Sequence, residues 1–293
     1  MNLSSTELGP FKLYVIETGR FRLDGGAMFG VVPKTLWSRY IEPDDKNRIQ
    51  MGMRCLLIQS QNTGRIYLID TGIGHKFNEK FEKIYAIDHD HSDLIPSLDY
   101  HGFSREDITD IIFTHLHFDH CGGAAEFSHS TDRPEIIFPN ANLWITKDHW
   151  ETATQPNARE TASFLDENIE PLKKSNHLKL VDGNHTYEDG LSTIIAKGHT
   201  IGQQLPKIEA NGKTIIFTAD LLPTAVHVPL PWVMGYDMYP ADTLTEKEHF
   251  LEQAIKHSWF LFLEHDANNE IIKIKKTDNK YSVDTFYTLN DIS

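Results

Sequence analysis

The chain has 293 residues, 40% hydrophobic and 24% charged, which is enough to bury a sizeable core and excludes a disordered or fibrous chain. A formal net charge of -14 with no local basic patch argues against a nucleic-acid partner. No stretch is apolar enough to span a membrane and no positive-then-apolar leader opens the sequence, while only two cysteines, Cys55 and Cys121, exclude a disulfide scaffold and suit a reducing, cytoplasmic setting.

Taken in chain order, residues 12–18 read as a strand, and 54–59 with 65–69 as a hairpin about Asn62-Thr63-Gly64. The hairpin exit, Asp70-Thr71-Gly72, sets a carboxylate directly after an apolar run, and Gly72 and Gly74 permit a tight turn. A helix is predicted over 91–100. A short buried strand, 111–113, then runs straight into Thr114-His115-Leu116-His117-Phe118-Asp119-His120-Cys121-Gly122-Gly123. Residues 146–174 read as helical, 178–181 and 191–196 as strands, and Asn211-Gly212 as a hairpin turn. A long Pro- and aromatic-rich loop, 222–240, precedes a helix whose Thr243 and Glu246 have capping-box spacing. Strands at 259–263, 271–275 and 281–289 close the sequence. Strands, helices, strands, helix suggest sheet layers covered by helices, and with no linker, charge tract or repeat the expectation is one domain over 1–293.

Sixteen histidines invite a search for metal ligands. Residues two apart in an extended segment project to one side, so His115 and His117 can grip one ion together. Asp119 and His120, as the chain turns at Cys121-Gly122-Gly123, can serve a second ion about 3.5–4 Å away, the spacing of two-metal sites. Further ligands arrive where three other apolar strands end: His199, Asp220 and His265. Imidazole and carboxylate without thiolate suit zinc, manganese or iron(II). His89, His91, His129, His177 and His257 read as surface histidines, and Cys121 as a small packed residue.

The histidine block resembles the His-x-His-x-Asp-His signature of the metallo-β-lactamase superfamily, and Asp70-Thr71-Gly72, Gly198-His199-Thr200 and Asp220 fall in that family's motif order. The resemblance implies an α+β fold, an αββα sandwich of two mixed β-sheets flanked by helices with the metals at one edge. It also implies a dinuclear centre with His115, His117 and His199 on one ion, Asp119, His120 and His265 on the other, and Asp220 bridging. Asp119 and Asp220 are then the catalytic carboxylates, Asp70 supports the metal loop, and the nucleophile is a hydroxide between two divalent ions, zinc first, which needs no serine or cysteine. The oxygen-reducing di-iron branch has an acidic residue where this chain has His117, so hydrolysis is expected.

Residues 24–37 resemble the N-terminal segment of a group that includes quorum-quenching N-acyl-homoserine lactonases and methyl-parathion-type organophosphate hydrolases. Met28 and Phe29, with Trp232 in Pro229-Leu230-Pro231-Trp232-Val233-Met234-Gly235-Tyr236, are the expected apolar substrate walls, and they suit an acyl chain or an aromatic ester. The small-molecule substrate is thus expected to be a lactone or ester, with a phosphotriester or glyoxalase-type thioester as alternatives and a metal-binding sensor as the non-enzyme alternative. Two departures matter. The lactonase tyrosine three positions after the bridging aspartate is Pro223 here, leaving His227 or Tyr236 to assist the substrate carbonyl, and Gly202-Gln203 stands where relatives have Pro-Gly-His. A glyoxalase-type thioesterase needs a glutathione-binding basic patch near the C-terminus; Lys273, Lys275 and Lys276 cluster there and read as a solvated strand edge. Oligomeric state, a homodimer included, stays open at this stage.

Overall fold

The computed structural model describes residues 3–128 and 133–292, so His129 lies outside the described residues. The first half of the chain forms β1 (Ser5–Leu8), β2 (Phe11–Asp24), α1 (Gly25–Phe29), α2 (Lys34–Trp37), β3 (Arg48–Ser60), β4 (Ile66–Ile69), α3 (Glu79–Tyr85), α4 (Leu94–Tyr100), β5 (Asp110–Ile112), α5 (Phe118–Cys121), β6 (Ala125–Phe127), β7 (Pro134–Ile136), β8 (Asn142–Thr146), α6 (Lys147–Thr154), α7 (Asp166–Lys174) and β9 (Leu178–Val181). The second half forms β10 (Thr186–Glu188), β11 (Leu191–Ala196), β12 (Gln203–Ala210), β13 (Lys213–Phe217), α8 (Pro240–Lys256), β14 (Phe260–Phe262), β15 (Ile271–Thr277) and β16 (Lys280–Tyr287).

These strands make two mixed sheets, ordered β1-β2-β3-β4-β5-β8-β9 and β10-β11-β12-β13-β14-β15-β16. In β2, β3 and β4 alternate residues serve different layers, as a pleated strand buried on both faces requires. Leu13, Val15, Leu56, Ile58 and Ile69 meet Leu205, Ile208, Ile215 and Phe217 between the sheets. Ile16, Leu57, Leu68 and Ile111 turn the other way, onto Leu94 and Leu98 of α4 and Ile169 and Leu172 of α7. Leu251 and Ala254 of α8 join the core with Leu261 and Ile272 of the second sheet. The fold is the expected α+β arrangement of two mixed sheets flanked by helices.

Parallel pairing decides where the candidate ligands go. β4 and β5 are parallel neighbours, as are β13 and β14, and two antiparallel steps make β11 parallel to β13. Asp70 and His115 follow parallel strands of the first sheet, and His199, Asp220 and His265 follow parallel strands of the second, so within each sheet the candidate ligands emerge at one end. The Gly122-Gly123 pair serves close backbone approach. A Cβ on Gly122 would sit 2.1 Å from the Ile73 carbonyl oxygen, and one on Gly123 2.1 Å from that of Thr71. The 71–74 turn rests on the block there, tied by Thr71 N–H to His120 O (2.8 Å) and Gly123 N–H to Gly72 O (2.9 Å).

Several expectations need correction. The first strand runs on to Asp24, with a register shift between Glu17 and Arg20. The helix expected from 91 starts at Leu94, because Asp93 caps it with a side-chain bond to Leu94 N–H. The helical stretch 146–174 is two helices, α6 and α7. The Thr243/Glu246 capping box does not form: Pro240, whose missing N–H costs nothing in a first turn, opens α8 earlier. Glu246 instead accepts hydrogen bonds from Lys197 and Gly198 N–H, which braces the turn that carries His199.

Candidate metal centre

The chain is extended through His117, which is the residue before α5, and turns there rather than at Cys121. His115 and His117 therefore share one side, while Asp119 and His120 swing off in the first helical turn. The Thr114 N–H and hydroxyl both bond the Asp70 carboxylate, at 2.7 and 2.6 Å, locking the start of the block to the end of β4. Asp220 sits in a tight 3-10 turn, Ala219–Leu221, directly after β13.

All seven candidate ligands converge in a buried cluster of two halves. On one side His117 Nδ1 lies 3.1 Å from His115 Nε2 and 3.2 Å from His199 Nε2. On the other, His120 Nε2 and His265 Nε2 are 3.1 Å apart, with Asp119 Oδ2 at 3.8 and 3.7 Å from them. Asp220 joins the halves: Oδ2 is 3.1 Å from His199 Nε2, and Oδ1 is 3.0 Å from His265 Nε2 and 3.5 Å from His120 Nε2. Ring nitrogens held about 2.0–2.1 Å from a tetrahedral ion stand about 3.3 Å apart, close to the observed spacing. Asp220 Oδ1 is buried and accepts no hydrogen bond, an acceptor oriented as a cation would need it.

Every histidine also has its outer nitrogen committed. His117 Nε2 faces Glu160 (3.3 Å), His199 Nδ1 Asp237 (3.0 Å), His120 Nδ1 Asp70 (3.1 Å), His265 Nδ1 the Gly52 carbonyl (2.9 Å) and His115 Nδ1 the Thr114 hydroxyl (3.0 Å). A proton on each outer nitrogen leaves the inner lone pair free for an ion, the usual support of metal-binding imidazoles. Glu160 and Asp237 carry no spacing pattern relative to the block and were missed by sequence reasoning. So was His149, which is fully buried, accepts from Leu116 N–H (2.8 Å) and faces Ile201 O (2.8 Å), pinning the block from behind.

The charges fit the same reading. Asp70, Asp119, Glu160, Asp220 and Asp237 are all buried in or against the cluster. Burial lowers the basicity of His199 and His265, but Asp220 outweighs it and lifts both, His265 to about 9. Burial likewise opposes the charge on His120, and the carboxylates Glu264, Asp119 and Asp220 overcome it. Asp220 is depressed because His265, His199 and His120 outweigh its own burial. His115 is driven well down by burial and by its histidine neighbours. Two divalent ions would supply about four positive charges to a cluster surrounded by these buried acidic groups. Glu264, another residue the sequence did not flag, is buried with Oε2 3.1 Å from His120 Nδ1, and burial pushes its carboxyl up to about 8.

A cavity of about 200 Å³ opens onto the cluster, lined by His117, Asp119, His199, Asp220 and His265 and walled by Met28, Tyr85, Phe118, Arg159, Met234, Tyr236 and Met238. Of the expected substrate residues, Met28 and Tyr236 reach it. Phe29, His227 and Trp232 do not border it. Phe29 is fully buried, stacked between Trp37 and His227 at ring distances of 5.1 and 4.7 Å, because α1 folds back onto the 225–234 loop. His227 has both nitrogens engaged, with Thr224 Oγ1 at 2.8 Å and Met28 O at 2.9 Å. Trp232 meets Phe29 and Tyr40 edge-on in the same layer. Tyr85, from α3, Phe118, Arg159 and Met238 are wall residues that sequence reasoning missed.

Two mixed sheets flanked by helices, with a histidine and carboxylate cluster at one edge, define the fold class. The profile of the Metallo-beta-lactamase superfamily matches residues 54–265, and the chain belongs to that superfamily. It is similar to an N-acyl homoserine lactonase of Bacillus cereus, 27% identical over 271 residues that cover 88% of this chain and 94% of the relative. Among solved structures it resembles a probable metal-dependent hydrolase from Staphylococcus aureus, with a TM-score of 0.85, 28% identity and coverage of 97% and 98% of the two chains. The dizinc quorum-quenching lactonase AidC, solved with the product N-hexnoyl-L-homoserine, shares the fold at a TM-score of 0.77 and 21% identity, covering 98% of this chain and 99% of its own.

Proposed function

We propose that this protein is a single-domain, dinuclear metal-dependent hydrolase that opens lactones or carboxylic esters, an N-acyl-homoserine lactone being the leading candidate substrate. His115, His117 and His199 would hold one divalent ion, Asp119, His120 and His265 the other, and Asp220 would bridge them. The observation that carries this reading is the pair of three-ligand clusters sharing Asp220, with the outer nitrogen of every histidine already engaged. The dizinc relative favours zinc as the metal. When bound, such a pair of ions acidifies water toward neutrality and offsets the negative charge that develops on an attacked carbonyl.

The chain's own residues would do the rest. Asp70, Glu160 and Asp237 hold the imidazoles in one tautomer, so the donors need no rearrangement. The phenols of Tyr85 and Tyr236 border the cavity, and neither donates a hydrogen bond to the protein among the described residues. They would orient the substrate carbonyl in place of the tyrosine that Pro223 replaces. The cavity is smaller than the roughly 300–1,000 Å³ of pockets that engulf a drug-sized ligand. A lactone head with its amide fits such a space, and an acyl chain would lie along Met28, Phe118, Met234 and Met238 toward the opening. The test is a hydrolysis screen of zinc-loaded protein across lactones, aryl esters, thioesters and phosphotriesters. Acyl lactones or esters should give the highest kcat/KM, and turnover confined to thioesters or phosphotriesters would overturn the substrate assignment.

A further inference from the structure

On the outer side of the 71–74 turn, a second group of ligand-type side chains stands apart from the centre just described. His75 Nε2 lies 3.0 Å from Asp93 Oδ2, His89 Nδ1 lies 3.7 Å from Asp93 Oδ1, and the two imidazole rings are 4.1 Å apart. The three donor atoms all fall within 4.8 Å of one another. His89 Nε2 faces the Gly74 carbonyl at 3.2 Å. A carbonyl only accepts, so Nε2 carries the ring proton and Nδ1 is left with its lone pair. That Nδ1 is buried and has no hydrogen-bond partner, an unexplained acceptor beside a carboxylate. Space is kept next to it by Gly19, where a Cβ would stand 2.8 Å from the same nitrogen. Asp93 is held still because Oδ1 also caps α4 at Leu94 N–H (2.7 Å), whereas the His75 side chain is 47% exposed and open to solvent.

We infer that His75, His89 and Asp93 form a third cation site, separate from the dinuclear centre, that takes a divalent first-row transition ion such as zinc. Two imidazoles and one carboxylate with open positions for water suit such an ion. His75 already lies within the about 3.3 Å of a tetrahedral edge from Asp93, and the 3.7 Å between His89 Nδ1 and Asp93 Oδ1 exceeds it by a few tenths of an ångström, while the exposed His75 side chain is free to rotate toward the ion. On binding, the proton that His75 Nε2 shares with Asp93 leaves that nitrogen, to Nδ1 of the same ring or to solvent, and the ion takes its place. His75 and His89 bracket α3, which carries Phe81 and Tyr85 against Phe118 at ring distances of 5.3 and 5.0 Å. An ion there would clip both ends of a segment that forms part of the cavity wall. That consequence rests on the proposed reading of the cavity, whereas the ion site itself does not.

The experiment measures zinc per chain by equilibrium dialysis for the wild type, His75→Gln, His89→Gln and Asp220→Ala. The two histidine variants should each bind one zinc fewer than the wild type, and Asp220→Ala should retain the uptake that His75 and His89 provide. Zinc should also raise the Tm of Asp220→Ala by more than it raises that of Asp220→Ala/His89→Gln, and equal shifts in the two would count against the third site. Unchanged stoichiometry in both histidine variants would overturn the third site. A wild type that binds zinc only through His75 and His89 would support it while refuting the dinuclear centre.

Discussion

Lowering the pH should destabilise the protein through His227, a residue outside the metal centre. His227 is buried and neutral, stacked on Phe29 at 4.7 Å, and burial pushes its imidazole down to about 3. An unfolded chain returns it to about 6.5. The folded value is the lower one, so the unfolded state binds the proton first, and stability falls as pH drops from about 6.5 toward about 3. Between pH 7 and pH 5 that linkage removes about 2 kcal/mol. Substitution by glutamine eliminates the titration. His227→Gln keeps a donor for the Met28 carbonyl but loses the ring stack and weakens the bond with Thr224, so at pH 7 it should be less stable by roughly 1–3 kcal/mol. Urea unfolding of both proteins at the two pH values isolates the effect, because every other titrating group cancels in the comparison. The gap between wild type and variant should narrow by about 2 kcal/mol at pH 5. Parallel stability curves would refute the reasoning.

Glu160→Gln and Asp237→Asn should each weaken metal binding by about 10–100-fold with the fold intact, as read by competition with a chelator, because each removes the charge that orients one imidazole. Cys121→Ser should keep most activity, and alkylating reagents should inhibit little: the thiol is buried, its Sγ lies 3.3 Å from the Leu116 carbonyl, and burial pushes its ionisation up to about 12. Tyr85→Phe and Tyr236→Phe should lower kcat at least tenfold with unchanged metal content, and a rate loss confined to KM would instead make the phenols part of ground-state binding. Trp232→Ala should reduce Tm yet leave the acyl-chain-length profile of kcat/KM unaltered, because Trp232 packs behind the cavity wall.

Much of the fold and the whole candidate ligand set were legible because four of the ligands sit in one dense block and the other three each follow a short apolar run, even though exact element ends were misjudged. What stayed hidden was brought together only by tertiary closure. Glu160 lies between α6 and α7, Asp237 in the loop before α8, and Tyr85 at the end of α3; each reaches the cluster from a segment with no periodic relation to it. The residues read as substrate walls were apolar and close to the right motifs, but apolarity does not say which side of a wall a residue occupies. Phe29 and Trp232 pack against each other and leave Met28 and Tyr236 to face the cavity. The capping-box spacing of Thr243 and Glu246 was real as a pattern, but Glu246 found stronger use bracing Gly198.

The most direct test of the dinuclear account is to measure bound metal and turnover together in wild-type protein and Asp220→Ala, using the substrates of the hydrolysis screen. If Asp220 bridges two ions at the catalytic centre, the variant should lose at least one ion per chain and hydrolysis of every substrate class at once. An Asp220→Ala protein that retains its full metal content and its activity would contradict the account.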